Sequence, residues 1–489
     1  MAPHPVNITS NRHFYPNKLP AIPTKQHCLR VKKLLNLEKP IQESLELVYL
    51  KGKNKATRDS TDVELEFRQE SNFFYLTGVD EPGFQVVIDL HCEKIYLVTP
   101  NVPEYDAFWK GPSYDPQELL ERYDIDEVID ESQLPELLNM LNPAIVHIIQ
   151  HQSTIAFLNR VLPTCKIDHQ LLLPALNEAR LIKFPWEINI IRQVMHGSSQ
   201  AHIALMRQFR QGMTEAHLSA LFRWACAQHQ IYKQAYLPIV ASGPRAAILH
   251  YSKNSQPIPN GPHTLVLVDA GGEKHCYGSD ITRTFPAHGR FSNEAKTIYN
   301  IVLKMQEAVL SILKPGVYWN DLQNLVVKIL CNELVKIGII VHDDQEELIQ
   351  LGVPNAFYYH SLGHTVGLDV HDVGGREQKR PEDIDVNDPP TTEIEFLPYR
   401  PLEKNMVLTV EPGLYFNRTM LNIWTQFPGY QKYFDLNVLA KYENVGGVRI
   451  EDTIVITETG YENLTLVPKQ VHEIEALMNP FSTQEAIHP

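Results

Sequence analysis

A chain of 489 residues with 58 acidic against 44 basic side chains carries a formal charge of −14 at neutral pH, which repels phosphate and argues against a nucleic-acid partner. At 43% hydrophobic and 21% charged, the composition is that of a globular protein long enough for two or three cores. Its six cysteines are scattered and show no CxxC spacing, which argues against thiolate metal sites and suits a reducing compartment.

Residues 1–10 lack the basic-then-apolar profile of a secretory leader, and no run reaches the roughly 18 apolar residues of a membrane span. A cytoplasmic location without membrane contact is expected. Residues 1 to about 40 read as irregular, with one short helix from Thr24 to Leu35. Strands follow at Leu45–Leu50, Phe84–Leu90, Lys94–Val98 and Ala144–Ile149, with helices at Gln117–Arg122 and Leu134–Leu141. Strands mixed with helices describe a compact α/β domain, and no cluster of nucleophiles or metal-binding residues lies inside it.

The pattern changes between residues 170 and 185, which places a boundary between domains 1–175 and 176–489. Helices are expected at Leu173–Ile182, Pro185–Gln208 and Glu215–Gln230. Pro185 suits a first helical turn, where its absent N–H is harmless. Beyond a hairpin, amphipathic helices at Asn293–Leu313 and Asp321–Ile337 are separated by Pro315-Gly316. The acid- and proline-rich stretch Arg376–Pro398 reads as a surface loop. Strands at Met406–Val410 and Gly447–Ile456 complete an α+β pattern for this half.

The hairpin, Thr264 to Phe285, is expected to turn through Gly271-Gly272 and to bring Asp269 and Asp280 to one end of a sheet. Two acids facing each other at the end of an apolar strand are costly to bury without a cation, although solvated acids on a polar rim fit this segment equally well. Three further positions decide between the two. His364 lies in His360-Ser-Leu-Gly-His-Thr-Val-Gly-Leu-Asp-Val-His-Asp372, Glu411 in Val407-Leu-Thr-Val-Glu-Pro-Gly-Leu-Tyr-Phe416, and Glu451 in Gly446-Gly-Val-Arg-Ile-Glu-Asp-Thr-Ile-Val-Ile456. Both glutamates fall in β-branched strands, where an ionised acid needs a partner. Two divalent ions would balance the four carboxylates, and a donor set of carboxylates with one imidazole suits Mn²⁺ better than a thiophilic ion. Such a pair acidifies water and polarises a scissile carbonyl, which is metal-assisted hydrolysis.

These motifs together resemble the proline-specific peptidases of the methionine aminopeptidase superfamily, the group that holds aminopeptidase P and prolidase. The likeness spans the C-terminal half, and Ala56-Thr-Arg-Asp-Ser60 with Phe67–Gly83 resembles the N-terminal domain that accompanies it. The resemblance implies an α+β pita-bread catalytic domain behind a smaller α/β creatinase-like domain, and a homodimer. It also implies that Asp269 binds one metal, His364 and Glu411 the other, and that Asp280 and Glu451 bridge them. By the same likeness Glu411 shuttles a proton for the attacking water, His371 stabilises the tetrahedral intermediate, and His250 contacts substrate. Tyr236 and His360 are pocket candidates. Arg449 shares a strand face with Glu451 by the two-residue period and could hydrogen-bond that carboxylate or its neighbours.

One departure concerns the substrate's far end. Prolidases tend to carry an arginine before the strand of Glu411 that helps hold a dipeptide's carboxylate. Leu397 stands there in this chain, with Arg400 three places later as the candidate substitute. Ser361, where a glycine is common, is a milder change. The expected activity is therefore removal of an N-terminal residue preceding proline from Xaa-Pro peptides, with cleavage of Xaa-Pro dipeptides as the alternative. A catalytically dead binding relative and a metal-free creatinase-like mode are both disfavoured, because all five ligand positions are filled.

Overall fold

The computed structural model describes residues 22–36, 45–103, 105, 107–111, 114–149, 151–342, 344–375 and 400–479. Leu397 and the stretch expected to form a surface loop at 376–398 lie outside the described residues. The chain divides into two compact units, Met1–Ala175 and Leu176–Pro489.

The first unit is built on six strands: β1 (Glu46–Lys51), β2 (Gln85–Asp89), β3 (Lys94–Thr99), β4 (Glu127–Asp130), β5 (Ile145–His147) and β6 (Lys166–Asp168). They form one sheet in the order β4-β3-β2-β1-β5-β6. β1, β2 and β3 make an antiparallel meander, while β4, β5 and β6 are added parallel to their neighbours. Leu47, Tyr49, Val87, Val98 and Val146 of the sheet pack on Leu137, Leu138 and Leu158 of the helices Leu134–Leu141 and Gln152–Val161. Alternate residues of a strand share a face, so this one layer of helices uses one set of strand positions. Among the polar groups buried in this unit, His147 lies between Asp168 (2.9 Å) and Glu46 (2.8 Å), with an acid at each ring nitrogen.

The second unit sets long helices against short antiparallel strands. Pro185 opens the helix Pro185–Gln208, and the Glu187 carboxylate accepts from the Phe184 amide at 2.7 Å, which fixes the first turn. Ile188, Ile191, Val194 and Leu205 bury its apolar face. Ser292 caps the helix Asn293–Ile312 by accepting from the Ala295 amide. The helix Trp319–Lys336 packs beside it.

Among the described residues, eleven further strands, β7 to β17, are each very short. They are β7 (Lys233–Gln234), β8 (Ile239–Ser242), β9 (Leu265–Asp269), β10 (Gly272–Lys274), β11 (Tyr277–Gly278), β12 (Thr282–Pro286), β13 (Val407–Val410), β14 (Gly413–Tyr415), β15 (Gly447–Arg449), β16 (Asp452–Ile456) and β17 (Tyr461–Asn463). They assemble as β12-β9-β8, β11-β10-β7, β13-β16-β17 and β14-β15.

Two expectations are corrected here. The hairpin does not turn at Gly271-Gly272. Lys274 pairs with Tyr277, and the reversal falls on His275 and Cys276, whose φ values of 50° and 59° give the turn that matches strand twist. The glycines serve close approach instead: a Cβ at Gly271 would lie 1.8 Å from the Ser279 carbonyl oxygen, and one at Gly272 2.3 Å from Ile231. Nor is Gly447–Ile456 one strand. It breaks after Arg449, so that β15 pairs with β14 while β16 pairs with β13. Val407 to Tyr415 breaks in the same way at Glu411-Pro412, where proline offers no N–H to a ladder. Both glutamates therefore sit in gaps where the chain passes from one sheet to another, not within strands.

Candidate metal centre

Each strand interruption presents an acid. Asp269 is the last residue of β9, and Asp280 precedes β12, its carbonyl held by the Thr453 hydroxyl at 2.7 Å. The Glu411 amide donates to the Leu362 carbonyl at 2.8 Å, and the Glu451 amide to the Thr282 carbonyl at 3.1 Å. His364 is fixed by Thr409, which receives the His364 amide at its hydroxyl (3.0 Å) and donates its own amide to the His364 carbonyl (2.8 Å). His364 Nδ1 lies 3.1 Å from the Thr365 carbonyl, which can only accept. Nδ1 therefore carries a proton, and Nε2 faces Asp280 and Glu411, each at 3.3 Å.

Donor atoms of Asp269, Asp280 and Glu451 lie within 4.8 Å of one another, and so do those of His364, Glu411 and Glu451. A third grouping at the same spacing joins His371 to Asp280 and His364, and the His371 ring centroid is 4.1 Å from that of His364. Arg449 does not reach for Glu451. Its guanidinium bonds Asp269 Oδ2 (2.6 Å), the Thr282 hydroxyl (3.1 Å) and Tyr415 (3.1 Å). Thr282 in turn donates to Glu451 at 2.7 Å.

The charge does not close. Burial pushes the Glu451 carboxyl well above its ordinary range, and repulsion from Asp280, Glu411 and Asp269 adds to this. Burial likewise lifts Glu411 to about 7 against the pull of His364 and Arg449. His364 rises to about 9 although burial opposes it, because Asp280 and Glu411 face its ring. Tyr236 shows the same excess of acceptors: its hydroxyl lies 2.5 Å from Oδ1 of both Asp269 and Asp280, yet it has one proton to donate. Four acids share one guanidinium and one imidazole, so the donor set fits hard divalent cations.

The other expected residues fall in two places. His360 is beside the cluster, with Nδ1 2.7 Å from the Ser361 carbonyl and Nε2 2.9 Å from the Tyr415 hydroxyl. Burial and the charge of Arg449 push its pKa down to about 3, so it is neutral and accepts from Tyr415. His250 is exposed and close enough to His360 and His371 for their charges to interact. Arg400 is not brought to the cluster: it is buried and bound to Glu178 and Glu403, each at 2.7 Å.

Sequence reasoning passed over three groups that shape the site. Tyr415 links Arg449 to His360, and Thr409 holds His364; two residues before Glu411, Thr409 was recoverable from the strand period. Asp372, buried beside His371, binds Arg180 (2.5 Å) and Lys183 (3.0 Å) and so pins the loop carrying both histidines. Nothing in the sequence signals partners 189 and 192 positions away.

Residues 189–458 match the model for metallopeptidase family M24, and residues 27–147 that for the aminopeptidase P N-terminal domain. The chain is 36% identical over 445 residues to a probable Xaa-Pro aminopeptidase of Paracoccidioides brasiliensis, covering 88% of this chain and 92% of that protein. It is 36% identical over 471 residues to a probable Xaa-Pro aminopeptidase of Uncinocarpus reesii, covering 93% and 94%. Among solved structures, aminopeptidase PepP of Pseudomonas aeruginosa superposes with a TM-score of 0.78 at 31% identity, over 95% of this chain and 100% of that one. A variant of Escherichia coli aminopeptidase P in complex with substrate gives 0.78 at 32% identity over the same shares.

Proposed function

The chain belongs to metallopeptidase family M24, with an aminopeptidase P N-terminal domain ahead of its pita-bread unit, and on that premise we propose that it is an Xaa-Pro aminopeptidase. It removes the first residue of a peptide whose second residue is proline. One observation carries the reading: five side chains from widely separated segments converge with more acid than the protein itself neutralises.

Asp269 would hold one divalent ion and His364 with Glu411 the other, with Asp280 and Glu451 shared between them. When bound, the ions supply Lewis acidity toward the scissile carbonyl and toward water. The oxygen-rich donor set supports Mn²⁺. The chain's own residues do the rest. Glu411 is placed to take a proton from the attacking water and pass it to the departing proline nitrogen. That nitrogen has no hydrogen in the substrate, since the Xaa-Pro bond is a tertiary amide. His371 would stabilise the oxyanion, and His250, His360 and Tyr236 would contact the substrate. Arg449 holds Asp269 in one orientation through a charge-assisted bond.

The dipeptidase alternative needs a cation for the proline carboxylate, and Arg400 is committed to Glu178 and Glu403. The test is a peptide-length series on chelated protein with Mn²⁺ restored. Xaa-Pro-Yaa tripeptides should be cleaved faster than the matching Xaa-Pro dipeptide. A preference for the dipeptide would make the chain a prolidase, and turnover of neither would leave a binding relative. A homodimer and a cytoplasmic location belong to the same reading, and sedimentation and fractionation test them. Among the described residues, no helix is long and apolar enough to cross a membrane.

A further inference from the structure

Behind the acidic cluster lies a second set of polar groups that the reaction does not use. Gln306, on the helix Asn293–Ile312, is fully buried. Its amide nitrogen donates to the carbonyls of Val410 (3.0 Å) and Ile450 (3.1 Å), and its oxygen accepts from Lys469 Nζ at 2.8 Å. Reversing the amide would set its oxygen against two carbonyls and its N–H groups against an ammonium, so the orientation is fixed. Lys469 also donates to Asp452 at 2.6 Å, and Asp452 accepts from Arg283 at 2.7 Å. Arg283 donates to the carbonyls of Glu451 (2.6 Å) and Thr282 (3.0 Å).

The carbonyls Gln306 selects are informative. Val410 and Ile450 immediately precede Glu411 and Glu451, so they belong to the two peptide planes whose rotation would swing those side chains. Both planes lie in gaps between sheets, where the ladders of β13, β14, β15 and β16 do not continue. One carboxamide thus ties two interruptions from distant parts of the chain to a single point. The amides of the same planes are held separately, by the Leu362 and Thr282 carbonyls, so Gln306 is what joins one plane to the other against the repulsion among four buried acids.

We propose that Gln306, held by Lys469, is a positioning residue that sets the spacing of Glu411 and Glu451 and so tunes the affinity of the centre for its second divalent ion. The proposal rests on the metallopeptidase reading. It is tested on the full-length chain by Gln306→Met, which keeps length and volume but removes both donors, and by Lys469→Met. Each is compared with wild type for Mn²⁺ dissociation constants by calorimetry, for melting temperature with and without Mn²⁺, and for kcat and KM at saturating Mn²⁺.

For Gln306→Met, Mn²⁺ binding at the weaker site should loosen by about 10–100-fold, as for other groups that orient metal ligands. The Mn²⁺-induced rise in melting temperature should shrink with it. Lys469→Met should shift both in the same direction by less, and saturating Mn²⁺ should restore most of kcat. A merely structural Gln306 would lower the melting temperature of the metal-free protein and leave the Mn²⁺ constants within about twofold of wild type; that outcome overturns the proposal. If Gln306→Met does not fold, Lys469→Met decides alone, since its side chain is partly exposed, and unchanged Mn²⁺ constants there overturn the proposal equally. Wild-type protein that bound no Mn²⁺ would instead bring down the metallopeptidase reading, and the proposal with it.

Discussion

Glu451 and Asp452 are neighbours in the chain, both are buried, and they face opposite sides of the backbone into opposite electrostatic surroundings. Asp452 meets Arg283 at 2.7 Å and Lys469 at 2.6 Å, and although burial works the other way these two cations hold its carboxyl below the ordinary range. Glu451 meets three more acids, and burial with their repulsion drives its carboxyl far above that range. Asp372, bound by Arg180 and Lys183, falls on the same side as Asp452, its carboxyl held low against burial. Where the chain supplies its own counter-charges, a buried acid is a piece of scaffold. Where it withholds them, the deficit specifies a ligand.

The contrast is broken hardest by removing one acid from each side. Glu451→Gln should abolish turnover and Mn²⁺ binding together, yet leave the metal-free protein at least as resistant to heat, because burial and three neighbouring acids already oppose the Glu451 charge. Turnover that survived both this substitution and exhaustive chelation would refute the metal mechanism. Asp452→Ala should do the reverse to the fold. It strands Arg283 and Lys469 without their acid and should cost about 3–5 kcal/mol by urea denaturation. A loss under about 1 kcal/mol would mean that the cations find water or other partners, and the scaffold reading of Asp452 would fail.

A third test uses acid. Asp372 is held below its ordinary value by Lys183 and Arg180, although burial opposes them. A depressed carboxylate contributes stability that is complete above the unfolded pKa of about 3.9 and is lost as pH falls through the folded value. The advantage of wild type over Asp372→Asn should therefore be constant from pH 8 to about 4, at roughly 1.5–3 kcal/mol, and close below that range. An advantage already fading at pH 6 would place the controlling titration elsewhere.

What the sequence could disclose follows the same division. Asp269, Asp280, Glu411 and Glu451 stood out because acids beside β-branched runs are anomalous, and His364 because it lies in a glycine-flanked motif; both signals can be read locally. The α/β and α+β halves were legible because hydrophobic period is a local property too. Asp452 looked like one more acid after Glu451, since its cations come from residues 283 and 469. Gln306 looked like an ordinary helical glutamine, because its acceptors lie 104 and 144 positions away. The turn was assigned to Gly271-Gly272 for a related reason. Glycine signals either a positive φ or a close neighbour, and only the fold reveals Ser279 and Ile231 packed against these two.

The smallest effect is expected at Arg400, which sharpens the comparison from the cationic side. Arg449 is also buried and paired, but its acid, Asp269, belongs to the unbalanced cluster. Arg400 is bound to two acids outside that cluster, Glu178 and Glu403, and a guanidinium so engaged has little left for the carboxylate of a substrate. Arg400→Lys should accordingly change the ratio of tripeptide to dipeptide turnover by less than about twofold, since the bidentate fork is lost where no substrate depends on it. A selective fall in dipeptide turnover would show that Arg400 leaves its acids to meet the proline carboxylate, and the pairing seen here would then describe only the resting chain.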